Sequence, residues 1–158
     1  MENKNSQSRR QLYNSSPSEV ISLGRRLIEV EADVGFEVWA DDLNALFEEA
    51  ALAMYEVMVD TSKVEPIEVR EIGIKSDQLD LLLHEWLSEL LFITDVDGLV
   101  FSKFEVNIDG SELFGRAMGE KIDPSKHSPK TEVKAITYYK LRVVKEGDIW
   151  RATVVLDI

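Results

Sequence analysis

Cysteine is absent from all 158 residues, which rules out disulfides, thiolate metal ligands and cysteine nucleophiles and fits a reducing compartment. No window approaches the roughly 18 apolar residues that a membrane span needs, and the polar N-terminus lacks the apolar run of a secretory signal. Gly-rich phosphate loops, H-E-x-x-H and nucleophile elbows are missing too. Positive charge is scarce: 18 Lys+Arg stand against 30 Asp+Glu, a formal net of -12. A surface that negative repels polyphosphate over a Debye length, so tight unaided binding of nucleic acid is not expected. The expectation is a soluble, cytoplasmic protein with no membrane attachment, whose partners are proteins or cations.

A hydrophobic content of 44% in 158 residues suffices for one core and is too small for two. Residues 1–22 read as a flexible polar tail and 23–158 as the folded domain. The stretch from Met1 to Pro17 is rich in Asn, Ser and Gln and holds Lys4, Arg9 and Arg10 against Glu2. It buries too little to offset its ordering entropy. Its +2 leaves -14 for the remainder.

Periodicity then predicts the elements. Arg26 to Val30 and Gly35 to Ala40 have strand character, with a turn or bend at Asp33, Val34 and Gly35. Asp41 or Asp42 can cap a helix with an apolar stripe from Leu43 to Met58, ending near Asp60. Ile67 to Ile74 is a strand whose apolar phase shifts between Val69 and Ile72, predicting a bulge around Arg70 and Glu71. Ser76 or Asp77 opens a second helix striped by Leu79, Leu82, Leu83, Trp86, Leu87, Leu90 and Leu91, and Gly98 lies past its end. Phe104, Val106 and Ile108 alternate before a hairpin turn at Asp109-Gly110, with Leu113 to Glu120 returning. A polar loop through Pro124 and Pro129 leads to strands Val133–Val144 and Ile149–Ile158, joined at Glu146-Gly147-Asp148. The class is α+β: a single domain with one mixed or mostly antiparallel sheet packed against two long helices.

Chemistry is harder to find. His84, on the polar side of the second helix, and His127, in a loop, have no partner at ligand spacing and read as ordinary surface histidines. Trp39, Trp86 and Trp150 fall in periodic elements, where core or sheet-face packing is the default. Two carboxylates stand out. Asp33 sits where a strand turns and either caps the turn or points into a site. Asp157 follows Val154, Val155 and Leu156 as the penultimate residue, beside the terminal carboxylate of Ile158. Two anions held together repel unless a cation with oxygen ligands, or a lysine such as Lys134, lies between them; simple exposure at a chain end is the other reading.

The segments Ala32-Asp33-Val34-Gly35-Phe36, Asp60 to Pro66, Thr131 to Tyr138 and Leu156-Asp157-Ile158 are similar, in this order, to the signatures of the archease family. The resemblance covers about Ile28 to the end. It implies a calcium-type site, or one for another divalent cation, formed by Asp33, Asp157 and the terminal carboxylate of Ile158, with Lys134 as a functional basic neighbour. It further implies a non-catalytic accessory role: promoting guanylylation and multiple turnover of the RtcB-type RNA ligase that joins tRNA halves. The family has also been read as chaperone-like modulators of a tRNA cytosine methyltransferase. A metal-dependent hydrolase using Asp33 and Asp157 is disfavoured by the lack of a general base near neutrality. One departure is that the family usually places His-Thr before Ala-Asp, where this chain has Val30 and Glu31. Glu31 either adds charge to the site or is solvated.

Overall fold

A computed structural model describes residues 23–28, 30 and 33–158; the expectations for the tail and for Glu31 lie outside them. The α+β class holds, but the strands form two antiparallel sheets where one was expected. Strands β1 (Gly24–Ile28), β2 (Val34–Ala40), β6 (Ala135–Ile136), β7 (Arg142–Glu146) and β8 (Ile149–Asp157) make a five-stranded sheet with β8 at its centre. Strands β3 (Glu68–Lys75), β4 (Leu99–Asp109) and β5 (Glu112–Lys121) make a three-stranded sheet in the order β3-β5-β4. Helix α1 (Leu43–Met58) packs on both sheets through β2 and β4, and α2 (Leu79–Asp97) touches β3 and the β6–β7 edge. A sheet buries only one face per helix layer, so the shared helices fuse both inner faces into one core.

Local signals explain the helix ends. Asp42 caps α1 by accepting from the Ala45 amide (2.8 Å), and Gly98, at φ 69, ends α2 in the left-handed conformation that glycine adopts without steric cost. The start of α2 differs from expectation: Gln78 is the cap residue and makes no side-chain cap bond, while Ser76 Oγ accepts from the Gln78 amide at 3.3 Å. The helices are cross-linked by buried polar tips. Trp86 Nε1 donates to the Phe47 carbonyl (3.0 Å), and the Tyr55 hydroxyl reaches the Leu90 carbonyl (3.0 Å) and Thr94 Oγ1 (2.6 Å). These contacts satisfy the polar ends of two aromatic side chains that are fully buried.

The edge of β4 is stapled by α1. Glu48 accepts from the Val106 amide and Asn44 from the Ile108 amide, both at 2.8 Å, which consumes donors that would otherwise template strand addition. Burial raises the Glu48 carboxyl above its ordinary range, with the Val106 amide opposing.

Three strand expectations are corrected. β1 is Gly24–Ile28, and Val30, expected within it, lies outside any strand. β3 pairs with β5 without interruption from Glu68 to Lys75, so no bulge lies at Arg70 and Glu71. The phase shift arises because Val69 is exposed while Ile72 is buried; the register irregularity is instead in β4, between Phe101 and Lys103. The single strand expected over Val133–Val144 is broken. Ala135 pairs with Asp157 and Arg142 with Thr153, so seven steps along one strand match four along β8 and three residues are extruded between β6 and β7.

Candidate functional site

The β2–β8 ladder decides where the two singled-out carboxylates lie. Val34 and Leu156 form the last pair of the ladder, and Asp33 and Asp157 are the next residue beyond that pair on each chain segment. Period two puts Asp157, in β8, on the face away from the helices, because Ala152 and Val154 take the buried inner face, while Asp33 lies in a bend just before β2. Asp33 is half-buried and its amide closes back on the Val30 carbonyl at 3.4 Å; Asp157 and Ile158 are exposed. On the other side of β8, Lys134 donates its amide to the Asp157 carbonyl at 2.7 Å, which puts it level with the chain end. Among the described residues no group of three or more Asp, Glu or His side chains is placed to hold a metal ion.

Both histidines differ from the surface expectation. His127 is fully buried. Asp123 caps the one-turn helix α3 (Pro124–His127), whose Pro124 occupies a first-turn position where no amide donor is required. The Asp123 amide donates to His127 Nδ1 at 2.9 Å, which leaves Nε2 to donate to Glu120 Oε2, also at 2.9 Å. Glu120 further accepts from the Glu65 amide (2.8 Å) and Lys126 Nζ (2.9 Å). The Glu65 amide, then His127 and Lys126, pull its carboxyl down to about 2. The His127 carbonyl accepts from the Asp60 amide at 3.0 Å. The Asp60 to Pro66 segment is thus held by a polar knot around the buried His127 that loop sequences do not reveal, since they have no period to betray which histidine turns inward.

His84 is half-buried and stacks on Tyr138 with ring centroids 4.1 Å apart and planes 10° from parallel. Its Nε2 lies 2.7 Å from the Ile136 carbonyl, which can only accept, so this nitrogen carries the proton. The tryptophans follow expectation: Trp86 is core, and Trp39 lies on the outer sheet face with the Arg151 guanidinium 5.7 Å from its ring centroid.

An open depression lies elsewhere, on the solvent face of the three-stranded sheet. Its walls include Glu71, Glu105, Phe114 and Arg116, and it opens where Gly73 contributes no side chain. It is on the other sheet from Asp33 and Asp157.

The protein is an α+β domain of two antiparallel sheets around two helices, with Asp33 and Asp157 near the end of the β2–β8 ladder. The archease protein family model matches residues 26–158. "Protein archease" of Sulfurisphaera tokodaii is 46% identical over 132 residues, covering 82% of this chain and 95% of the relative; that of Pyrococcus abyssi is 46% identical over 135 residues with the same coverage. A solution structure of a Methanobacterium thermoautotrophicum protein matches with a TM-score of 0.77 at 44% identity, covering 85% of this chain and 99% of that one. A Thermotoga maritima crystal structure, described as an archease and possible chaperone, has the same fold at a TM-score of 0.60 and 20% identity, covering 94% and 100%. The chain belongs to the archease family. Among the described residues no helix is long and apolar enough to cross a membrane.

Proposed function

We propose that this chain is a non-catalytic accessory protein that activates an RtcB-type tRNA-splicing RNA ligase, promoting its guanylylation and multiple turnover through a divalent-cation site. The observation that supports this reading is that Asp33 and Asp157 adjoin Val34 and Leu156, the last pair of the β2–β8 ladder, near the chain end. Asp33 and Asp157 would hold the cation, calcium by the hardness of the donors, with the terminal carboxylate of Ile158 as a third oxygen ligand. The cation would supply positive charge for the ligase's nucleotide or metal centre. Lys134, level with the chain end on the neighbouring strand, adds a basic group on the same edge. The net charge of -12 supports a protein rather than RNA as the direct partner. The test is a guanylylation and multiple-turnover ligation assay with the cognate ligase: activation that depends on this protein and on Asp157 is expected, and unchanged guanylylation on its addition would refute the reading.

A chaperone-like role toward a tRNA methyltransferase is the second reading, prompted by the description of the Thermotoga maritima structure as a possible chaperone. It predicts suppression of light scattering by an aggregating methyltransferase without any effect on nucleotide chemistry.

A further inference from the structure

Helices guard two of the sheet edges. Glu48 and Asn44 of α1 take the Val106 and Ile108 amides of β4, and Asp80 of α2 accepts from the Val143 amide of β7 at 3.0 Å. The edge of β3 is left open. The staple on β4 fixes the hydrogen-bond phase of its whole sheet, because main-chain groups alternate in direction along a strand. With Val106 and Ile108 turned away from β5, Glu105 and Asn107 turn toward it and bond their partners Arg116 and Phe114. Leu113, Gly115 and Ala117 then bond Ile74, Ile72 and Arg70 of β3. The main-chain groups of Val69, Glu71, Gly73 and Lys75 therefore point out of the sheet. Among the described residues one side chain bonds any of them, Arg70 to the Val69 carbonyl at 3.2 Å. A regular edge strand of eight residues with free donors and acceptors is a template for another strand.

We propose that the β3 edge pairs with the β3 edge of a second copy of this chain, antiparallel about a two-fold axis through Gly73. Charge selects both the occupant and the register. Gly73 faces Gly73 of the second copy, Glu71 faces Lys75 and Lys75 faces Glu71, each pair exchanging main-chain bonds. Glu71 and Lys75 are exposed on the solvent face and have no ion-pair partner among the described residues; Arg116, across from Glu71 on β5, turns to Glu105 at 3.7 Å instead. Opposite charges facing across a ladder stabilise it and like charges destabilise it. Sliding one strand by two residues brings Glu71 opposite Gly73 in one direction and opposite Asp77 in the other, and both charge pairs are lost. On the inner face the same register sets Ile72 against Ile74. The open depression fits this pairing too. Phe114, 58% exposed, is the β5 neighbour of Gly73, so the facing glycines leave a strip without side chains between two exposed rings, over which both rings shed apolar surface. Such a self-complementary patch is what a two-fold interface requires. The net charge of -12 on each chain opposes association over a Debye length of about 8 Å, but the facing groups are neutral in sum, so the dimer is weak and concentration-dependent.

The test uses the full chain in analytical ultracentrifugation from micromolar to millimolar concentration. Wild type should pass from monomer to dimer over this range. Glu71→Lys sets lysine against lysine at both pairs and should weaken dimerisation about tenfold or more, and Lys75→Glu should do the same with carboxylates. An equimolar mixture of the two variants, and the double variant Glu71→Lys/Lys75→Glu, should regain wild-type affinity because opposite charges face again. Both positions are exposed, so the melting temperature of dilute protein should not move. The register has its own readout. The chain has no cysteine, and a Cβ at Gly73 meets nothing within 4 Å. Residues that exchange ladder bonds lie about 5.5 Å apart at Cα, within disulfide reach. Gly73→Cys should therefore oxidise to a covalent dimer, while Glu105→Cys, on the same face of the stapled strand, should not. Wild type that stays monomeric to millimolar concentration overturns the inference. So does a dimer that Glu71→Lys leaves intact, a charge swap that fails to rescue, or Gly73→Cys that cross-links no faster than Glu105→Cys. A monomer in which Glu71→Lys weakens binding of the cognate ligase gives the edge to a different chain and likewise overturns it.

Discussion

His127→Ala tests the buried knot most directly. The side chain is fully buried, so its removal leaves a void the size of an imidazole ring. It also strands two groups: the Asp123 amide loses its acceptor, and Glu120 loses one of its donors while keeping the Glu65 amide and Lys126. An orphaned, partly buried donor costs about 1 kcal/mol at the low end, the hydrogen bond to a carboxylate about 1 more, and the void about 1 to 2, reduced if water enters a site this polar. The expected loss is about 3 kcal/mol, or about 6 to 12 °C in melting temperature for a chain of this length. His127→Asn should recover about a third of it, because its carbonyl oxygen can stand near Nδ1 and accept from the Asp123 amide. Thermal melts of the three proteins at neutral pH decide it. A fall of less than about 2 °C for the alanine variant would show that the knot is not a unit of stability and that the geometry around Glu120 and Glu65 is held by other contacts.

The same knot predicts an acid response. Folding holds the Glu120 carboxyl at about 2 against an ordinary 4.5, so its contribution is present above the ordinary value and drains away as pH falls from there toward the folded one. The gap in melting temperature between wild type and Glu120→Gln should therefore narrow over that window, and a gap constant in pH would contradict the assignment. At the proposed cation site, calcium at a hundredfold excess over its Kd should stabilise wild type by about 2.7 kcal/mol. Asp157→Ala and Asp33→Ala should lose most of this while the calcium-free fold survives, and Lys134→Ala should keep it yet impair ligase guanylylation. Full calcium stabilisation of Asp157→Ala would mean that the cation binds elsewhere. Glycine substitutions should separate sharply: a Cβ at Gly119 runs into the Val100 carbonyl and backbone, whereas one at Gly73 meets nothing within 4 Å. Urea unfolding should show Gly119→Ala down by about 3 kcal/mol or more and Gly73→Ala within about 0.5 of wild type. Equal stabilities would refute the packing around Gly119.

What was legible in the chain alone is what local periodicity and turn chemistry encode. The stripes of α1 and α2, a cap at Asp41 or Asp42, the stop at Gly98 and the hairpin turns at Asp109-Gly110 and Glu146-Gly147-Asp148 all follow from neighbours within a few residues. Asp33 and Asp157 drew attention for a local reason too, a carboxylate at a bend and another beside a chain terminus. That they lie beside the same end of one ladder could not be read, because pairing Val34 with Leu156, 122 positions apart, depends on which strands become neighbours. The division into two sheets is equally non-local: each strand satisfies the same alternation whichever sheet it joins, and only the packing of α1 between β2 and β4 settles it. Break points inside a strand escape periodicity as well. Val133 to Val144 has enough β-branched and aromatic residues to read as continuous, and the extrusion of Tyr138, Tyr139 and Lys140 arises from where β8 runs out of partners. Histidine burial was decided last of all. A polar loop residue becomes a core residue only when a carboxylate and a backbone amide from other segments close around it, as Glu120 and Asp123 do around His127.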